Sequence, residues 1–467
     1  MSFEEQRLEE LCELVIDCPH STPKWTDEGF IVLRNQNIRN GVLDLSTPSF
    51  TDEDGYKNRI KRAKPKANDI VFTREAPMGE VCLIPEGIEC CLGQRQVLLR
   101  ANSKVDPYYL FWALQSPYVQ HQISWNEGTG TTVSNVRIPV LKDLKIPRLG
   151  VAESWIAKTM TSLALKSQIN KKINQTLEQM AQALFKSWFV DFEPVKAKIA
   201  ALEAGGSQED ATLAAMTAIS GKDADALVVF EREHPEQYAE LKATADLFPS
   251  AMQDSELGEI PEGWSIGKLG DIIEFNPKRV LKKGNVASYL DMKNVPITGH
   301  SAQDIIDREF SSGSKFKNGD TLLARITPCL ENGKTAYVDF LPTDEIVGWG
   351  STEFIVMRSK KILPLSISYF FARLDSFRTI AIQSMQGTSG RQRADASVLE
   401  QHVWIVPPDE VLQKFGTSSD LILNGNRVRN TENKSLAQLR DTLLPKLLSG
   451  EITLPDTEQG AREAENV

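Results

Sequence analysis

The chain has 467 residues, 41% hydrophobic and 25% charged, with a formal net charge of −10. That is the balance of a water-soluble protein too long for one ordinary core, so two or three domains are expected. No apolar run reaches the roughly 20 residues of a membrane span, and the opening MSFEEQRLEE lacks the apolar segment of a secretory signal; a membrane protein is excluded and a cytoplasmic one expected.

The acidic total does not exclude a nucleic-acid partner. Residues 201–256 hold 12 acids and 3 bases, and residues 451–467 hold 5 acids and 1 base, so the remainder carries +3. Binding depends on local patches rather than on the sum.

Residues 1–24 open with an amphipathic run, Leu8, Leu11, Leu14 and Val15, stopped by Pro19 and Pro23. Short β-type runs follow at 30–33, 69–72, 79–84 and 96–99, punctuated by Gly, Pro and Asn as in a mixed or barrel-like sheet. Pro107 begins a helix over 108–115, where proline suits the first turn. A loop, Gly128-Thr129-Gly130-Thr131-Thr132, precedes Leu144-Lys145-Ile146-Pro147 and then a segment, 154–189, free of Gly and Pro. There Leu177, Met180, Leu184 and Trp188 recur at steps of three and four, one stripe of a helix that would run roughly 50 Å at about 1.5 Å per residue. Phe185, Trp188 and Phe189 overload its end with apolar bulk, so a partner helix is expected.

The obvious partner is its own repeat. Residues 433–448, NKSLAQLRDTLLPKLL, match 174–189 at a constant offset of 259. Asn174/Asn433, Leu177/Leu436, Gln179/Gln438 and Leu184/Leu443 are identical, and Met180/Leu439 and Trp188/Leu447 are apolar in both. Upstream, Leu33 and Asn37 answer to Leu290 and Asn294. Lys66, Asp69, Arg74 and Pro77 answer to Lys317, Asp320, Arg325 and Pro328 at an offset of 251. Gly93 and Arg100 answer to Gly350 and Arg358, and Gly128-Thr129 to Gly387-Thr388. A repeat this long decides the architecture before any local motif does.

The expected fold is therefore α/β (α+β): two similar domains separated by two long antiparallel helices in a coiled-coil-like spacer, with a pseudo-two-fold internal repeat. The expected bounds are 1–150 for the first domain and 151–200 for the first spacer helix. An acidic helical insert absent from the other half takes 201–256, the second domain 257–408, the second spacer helix 409–452 and a disordered tail 453–467. Leu177, Met180, Leu184 and Trp188, with Leu436, Leu439, Leu443 and Leu447, are the candidate helix and subunit packing residues.

No catalytic constellation stands out. There is no G-x-x-x-x-G-K-[ST] phosphate loop and no G-x-G-x-x-G after a strand. The six cysteines show no C-x-x-C and the five histidines make no metal box, so no metal site is expected. Features suited to DNA do occur. Lys57, Arg59, Lys61, Arg62, Lys64 and Lys66 crowd ten residues beside Tyr56, a density able to neutralise several phosphates. Gln94 and Arg95, like Arg391, Gln392 and Arg393, follow glycines that permit close approach. Arg can grip guanine O6/N7, and Gln adenine N6/N7, by two contacts each. Thr129, Thr131 and Thr132 could bond phosphates from a loop. Thr388, Ser389 and the repeated arginines Arg74 and Arg325 complete the candidate DNA contacts.

Four elements in a fixed order carry a resemblance: LGEIPEGW at 257–264, GTSGRQR at 387–393, IVPP at 405–408 and LLPKLLSGEI at 443–452. By them the sequence is similar to the specificity subunits of Type I restriction-modification systems, along nearly the whole chain. The resemblance implies two target-recognition domains, each reading half of a split, asymmetric site in double-stranded DNA, with the helices setting the unread gap. It also implies that the helices dock two methylation subunits, which bring S-adenosylmethionine chemistry. The assembly then recruits restriction subunits that use ATP and Mg2+ in host defence. The chain itself would be non-catalytic and hold no cofactor directly. The first half departs from the pattern, with Gly128-Thr129-Gly130-Thr131-Thr132 where the second has its arginine-bearing loop. A stand-alone DNA methyltransferase and a protein-only coiled-coil adaptor are the other readings.

Overall fold

A computed structural model describes residues 4–125, 135–360, 363–387 and 392–452. They form two compact units, one of Met1–Ile169 with Glu432–Val467 and one of Asn170–Thr431. Each unit takes part of both long helices, Ala152–Phe189 and Asp409–Leu448.

The first unit is built on a four-stranded antiparallel sheet in the order Cys12–Asp17, Gln96–Ala101, Ile70–Thr73, Val81–Leu83. Successive residues of a strand point to opposite faces, and here both faces are covered. Ile70 and Phe72 pack with Tyr109, Trp112, Met160 and Leu447, whereas Val71 packs with Leu33, Cys82 and Leu92. The second cluster belongs to another sheet, ordered Cys90–Leu92, Phe30–Leu33, Ser49–Thr51, Trp25–Thr26, in which Cys91 lies parallel to Val32. Helix Pro107–Gln115 starts as the sequence predicts, with Pro107 in its first turn and the Asp106 carboxylate accepting from the amides of Tyr108 and Tyr109. The opening amphipathic run is not a single helix. Leu8–Leu11 is one turn between strands Glu4–Arg7 and Cys12–Asp17, because Val15 is claimed by pairing with Leu99.

The second unit repeats this plan. Its antiparallel sheet runs Ile273–Phe275, Phe354–Ser359, Thr321–Ala324, Thr335–Tyr337, and its other sheet Ile306–Glu309, Val286–Leu290, Gly348–Gly350, Ser314–Phe316. Tyr289 lies parallel to Trp349, as Val32 does to Cys91. Helices Ser366–Arg373, Asp375–Gln383 and Ala396–Gln401 stand in the order of Pro107–Gln115, Pro117–Trp125 and Ile138–Asp143. The fourth strand differs: Trp25–Thr26 is added beside Ser49–Thr51 in the first unit, Ser314–Phe316 beside Gly348–Gly350 in the second. The acidic insert is largely helical as expected: Gln208–Ser220, Ala224–Glu233 and Pro235–Asp246 stand around a small core of Ala215, Met216, Leu227 and Ala245, with helix Glu193–Glu203 leading in and strand Met252–Ser255 at its end.

Within the second unit the long helices run antiparallel. Phe185 meets Phe415 at 5.1 Å, while Asn174 and Asn426 exchange side-chain-to-carbonyl bonds of 3.3 Å and Asn174 also donates to Asn430 Oδ1 at 3.0 Å. The buried face of the first helix is Asn170, Asn174, Glu178, Ala181 and Phe185, joined by Trp188. Leu177 and Leu184 are only half-buried, and Met180 is exposed, which corrects the apolar stripe read from the sequence. Hydrogen bonding draws the polar side chains inward; a buried network whose members are all satisfied can stand in a core. On the second helix Leu447 is buried, Leu436 and Leu443 half-buried and Leu439 exposed. Gly416 lets that helix approach closely, since a Cβ there would stand 2.1 Å from Pro364 Cγ.

Candidate nucleic-acid interface

In each unit one loop carries an arginine whose backbone is held on both sides. Strand Ile70–Thr73 runs into Arg74, whose amide donates to the Arg95 carbonyl (2.8 Å) and whose carbonyl accepts from Val136 (3.1 Å). Strand Thr321–Ala324 runs into Arg325, whose amide donates to the Glu353 carbonyl (2.9 Å) and whose carbonyl accepts from Ala394 (2.8 Å). The cis peptides Ala76–Pro77 and Thr327–Pro328 follow at matching places.

Beneath each loop lies the same strut. Buried Asp69 accepts from Nε and an Nη of Arg100, both at 2.7 Å, and buried Asp320 pairs with Arg358 (2.5 Å) and Arg279 (3.1 Å). The second oxygen of each closes a turn, accepting from the amide of Lys66 or Lys317 at 2.8 Å. The matched Lys, Asp and Arg positions of the repeat are thus one device built twice.

The fold treats the sequence candidates differently. Arg59 is buried and donates to the carbonyls of Leu92 (2.7 Å), Gly93 (3.2 Å) and Ser21; it braces the loops instead of meeting phosphates. Lys57 pairs with Glu53 at 2.7 Å and Lys64 with Glu89 at 2.6 Å; Lys61, Arg62 and Lys66 are exposed, with Arg62 3.3 Å from the Asp17 carbonyl. Arg74 is closed off by both Asp17 oxygens at 3.0 Å and by the Val136 carbonyl at 2.9 Å. Gln94 donates to the His20 carbonyl at 2.8 Å. Arg95 is exposed in the left-handed region, φ 66°, with Nε 3.1 Å from Glu75.

In the second unit Arg325 is half-buried and makes no ion pair among the described residues. The Gln392 carbonyl accepts from Thr327 at 3.1 Å, and Arg393 forks onto Glu353 with two bonds of 2.8 Å. That fork holds the Glu353 carboxyl below the usual range. The fold thus gathers Arg74, Arg95 and Glu75 at one loop and Arg325, Gln392, Arg393 and Glu353 at the other. Thr129, Thr131, Thr132, Thr388, Ser389 and Arg391 lie outside the described residues.

Two arginines escaped the sequence reading. Arg34 lies over the Trp25 ring at 5.2 Å, and Arg308 over Tyr289 at 4.9 Å and Trp349 at 5.7 Å. Both are exposed, and neither makes an ion pair among the described residues. Arg34 directly follows the matched Leu33, whereas Arg308 lies beside no matched position and carried no sequence signal.

A buried node ties the first long helix to loops and to helix Ser366–Arg373 of the second unit. Glu178 accepts from the His300 amide (3.1 Å), sits 3.2 Å from its Nδ1, and accepts from the Tyr369 hydroxyl. His300 Nε2 lies 3.3 Å from Asp339, and Ser301 beside it accepts from Asn430 at 2.6 Å. Burial pushes the His300 pKa down, but Asp339 and Glu178 on either side outweigh it and lift it to about 9.

Among the described residues no group of three or more His, Cys, Asp or Glu is placed to hold a metal ion, and no helix is long and apolar enough to cross a membrane. The described residues thus build one α/β frame twice, each copy holding arginines around a fixed loop. The comparisons identify its kin. Residues 2–179 match the family of the Type I restriction modification DNA specificity domain. The chain is 32% identical over 321 residues to the Type I restriction enzyme HindI specificity subunit of Haemophilus influenzae, covering 64% of this chain and 66% of that one. With the EcoEI specificity subunit of Escherichia coli it shares 30% identity over 225 residues, 46% of this chain and 36% of that one. The matches thus span less than two thirds of these relatives' lengths. A solved Type I restriction-modification S subunit from M. genitalium shares the fold, with a TM-score of 0.52 at 16% identity over 98% of this chain and 97% of that one. Residues 2–179 thus carry the Type I restriction modification DNA specificity domain, and over most of its length the chain is similar to Type I restriction-modification specificity subunits.

Proposed function

We propose that the chain is the DNA-reading, non-catalytic subunit of a cytoplasmic Type I restriction-modification assembly, each unit contacting one half of a split, asymmetric target in double-stranded DNA. One observation carries this reading: the two units keep one frame and change what it displays. The same backbone bonds hold Arg74 and Arg325, yet the carbonyl that receives the amide belongs to Arg95 in one unit and to Glu353 in the other. A frame kept while its polar groups change is what reading two different half-sites requires. The matched proteins are named specificity subunits, which favours neither a stand-alone methyltransferase nor a protein-only adaptor.

In this reading the long helices set the unread gap and dock two methylation subunits, and restriction subunits join that assembly. S-adenosylmethionine, ATP and Mg2+ belong to those partners. Support for two equal docking faces comes from exposed apolar residues at repeat-matched positions: Ile169 and Val428 are 54% and 59% exposed, Met180 and Leu439 60% and 45%. Large apolar side chains left in water twice, in the same place, fit two copies of one partner. The chain purified with its methylation partners should bind a duplex carrying the split target and release it when either half is scrambled. Equal binding to every duplex would contradict the reading, and crosslinking of S-adenosylmethionine to the chain alone would favour a methyltransferase.

A further inference from the structure

Each unit opens a surface pocket at the same place in its fold. In the first, about 330 Å³ is bounded by Trp25, by Arg34 just past strand Phe30–Leu33, and by Ser49 and Phe50 of the neighbouring strand. In the second, about 190 Å³ is bounded by Tyr289, by Asp291 just past strand Val286–Leu290, and by Ile306 and Arg308 of the neighbouring strand. The equivalence is one of register. Ser49 pairs with Val32 and Ile306 with Tyr289, and each partner directly precedes a matched leucine, Leu33 or Leu290. Arg34 and Asp291 therefore occupy one position of the repeat, as do Ser49 and Ile306.

The pocket walls have diverged where the framework has not. Arg34 against Asp291 reverses a charge, and Ser49 against Ile306 exchanges a hydroxyl for an apolar surface. The struts Asp69–Arg100 and Asp320–Arg358 are the same in both units. Each pocket nevertheless holds an arginine over an aromatic ring, at 5.2 Å for Arg34 and 4.9 Å for Arg308, with no ion-pair partner among the described residues. Contact with the ring restricts the guanidinium while its N–H edge stays open, a two-point donor suited to guanine O6 and N7. Asp27 in the first pocket, and Asp291 and Asp304 in the second, add acceptors suited to the cytosine amino group.

We propose that these pockets are the seats of half-site discrimination, the Trp25–Arg34 pocket touching base edges of one half of the target and the Tyr289–Arg308 pocket those of the other. This rests on the DNA-reading function proposed above. The test uses the full chain with its methylation partners and three duplexes: the intact target and the target with either half scrambled. Arg34→Ala should reduce discrimination at one half roughly 10- to 100-fold and leave the other untouched, and Arg308→Ala should do the reverse. Arg34→Lys and Arg308→Lys, which keep the charge without the planar fork, should not restore it. Because both side chains are exposed, unchanged thermal unfolding is expected in every variant. If the wild type discriminates both halves and the variants do too, or if lysine restores binding as a phosphate contact would, the proposal fails while the DNA-reading function stands. A wild-type assembly indifferent to both halves would overturn both.

Discussion

Asp69 and Asp320 are buried and each hold a turn and one or two half-buried arginines, so removing either strips those guanidiniums of their main carboxylate. Asp69→Ala or Asp320→Ala should cost about 3–5 kcal/mol of stability in urea unfolding, and a loss below about 1 kcal/mol would mean that the struts are not what fixes the loops. His300 gives a pH signature. Its pKa, ordinarily near 6.5, is pushed up to about 9 in the fold, so the protonated form is the one the fold stabilises. That contribution is complete below pH 6.5 and disappears as pH rises through about 9. The second unit's melting temperature should fall across that window, and His300→Gln should flatten the fall; an equal slope in the variant would rule the node out. At this scale the sequence was only partly legible. The Lys, Asp and Arg spacing repeated in both halves and marked a real device. Whether an arginine is open or closed was not visible, because Arg74 is neutralised by Asp17, 57 residues away, and Arg59 is buried by carbonyls from two distant loops.

The long helices show how periodicity finds an element and can miss its inner face. Apolar steps and the absence of Gly and Pro located the first helix, yet its buried side is led by Asn174 and Glu178, whose partners Asn426 and His300 lie 252 and 122 residues away. Charge at the half-buried Leu184 or Leu443 would therefore disturb the cores they pack against. Met180→Glu and Leu439→Glu are cleaner tests of docking. Each should leave melting within a degree or two of wild type while weakening capture of a methylation subunit at least tenfold, about 1.4 kcal/mol or more of binding. Full retention by the double variant would remove the helix faces from the docking account. Phe185, ringed by Phe189, Phe371 and Phe415 at 4.8, 5.2 and 5.1 Å, should by contrast cost about 3–5 kcal/mol when changed to Ala.

Over the whole molecule, the duplication was the most legible feature, since matched anchors kept their order even where few identities remain. The four-stranded sheets bear this out strand by strand, apart from the added edge strand in each. That strand was not legible because Trp25–Thr26 and Ser314–Phe316 are too short for an alternating pattern. The acidic insert was legible from composition as helical, though its role was not. Equally hidden were the pocket arginines: Arg34 answers to Asp291 in the repeat and Arg308 to no arginine, so only the register of two strands shows the pockets as counterparts. In the proposed function one chain carries two different readers of one split DNA target. Sequencing of DNA methylation in the host, with and without this chain, tests it most directly. The expected result is a single asymmetric motif of two specific runs around a fixed unread gap, lost when the chain is deleted and widened in gap when four residues are added to each long helix. A continuous palindromic motif, or methylation unchanged by the deletion, would contradict it.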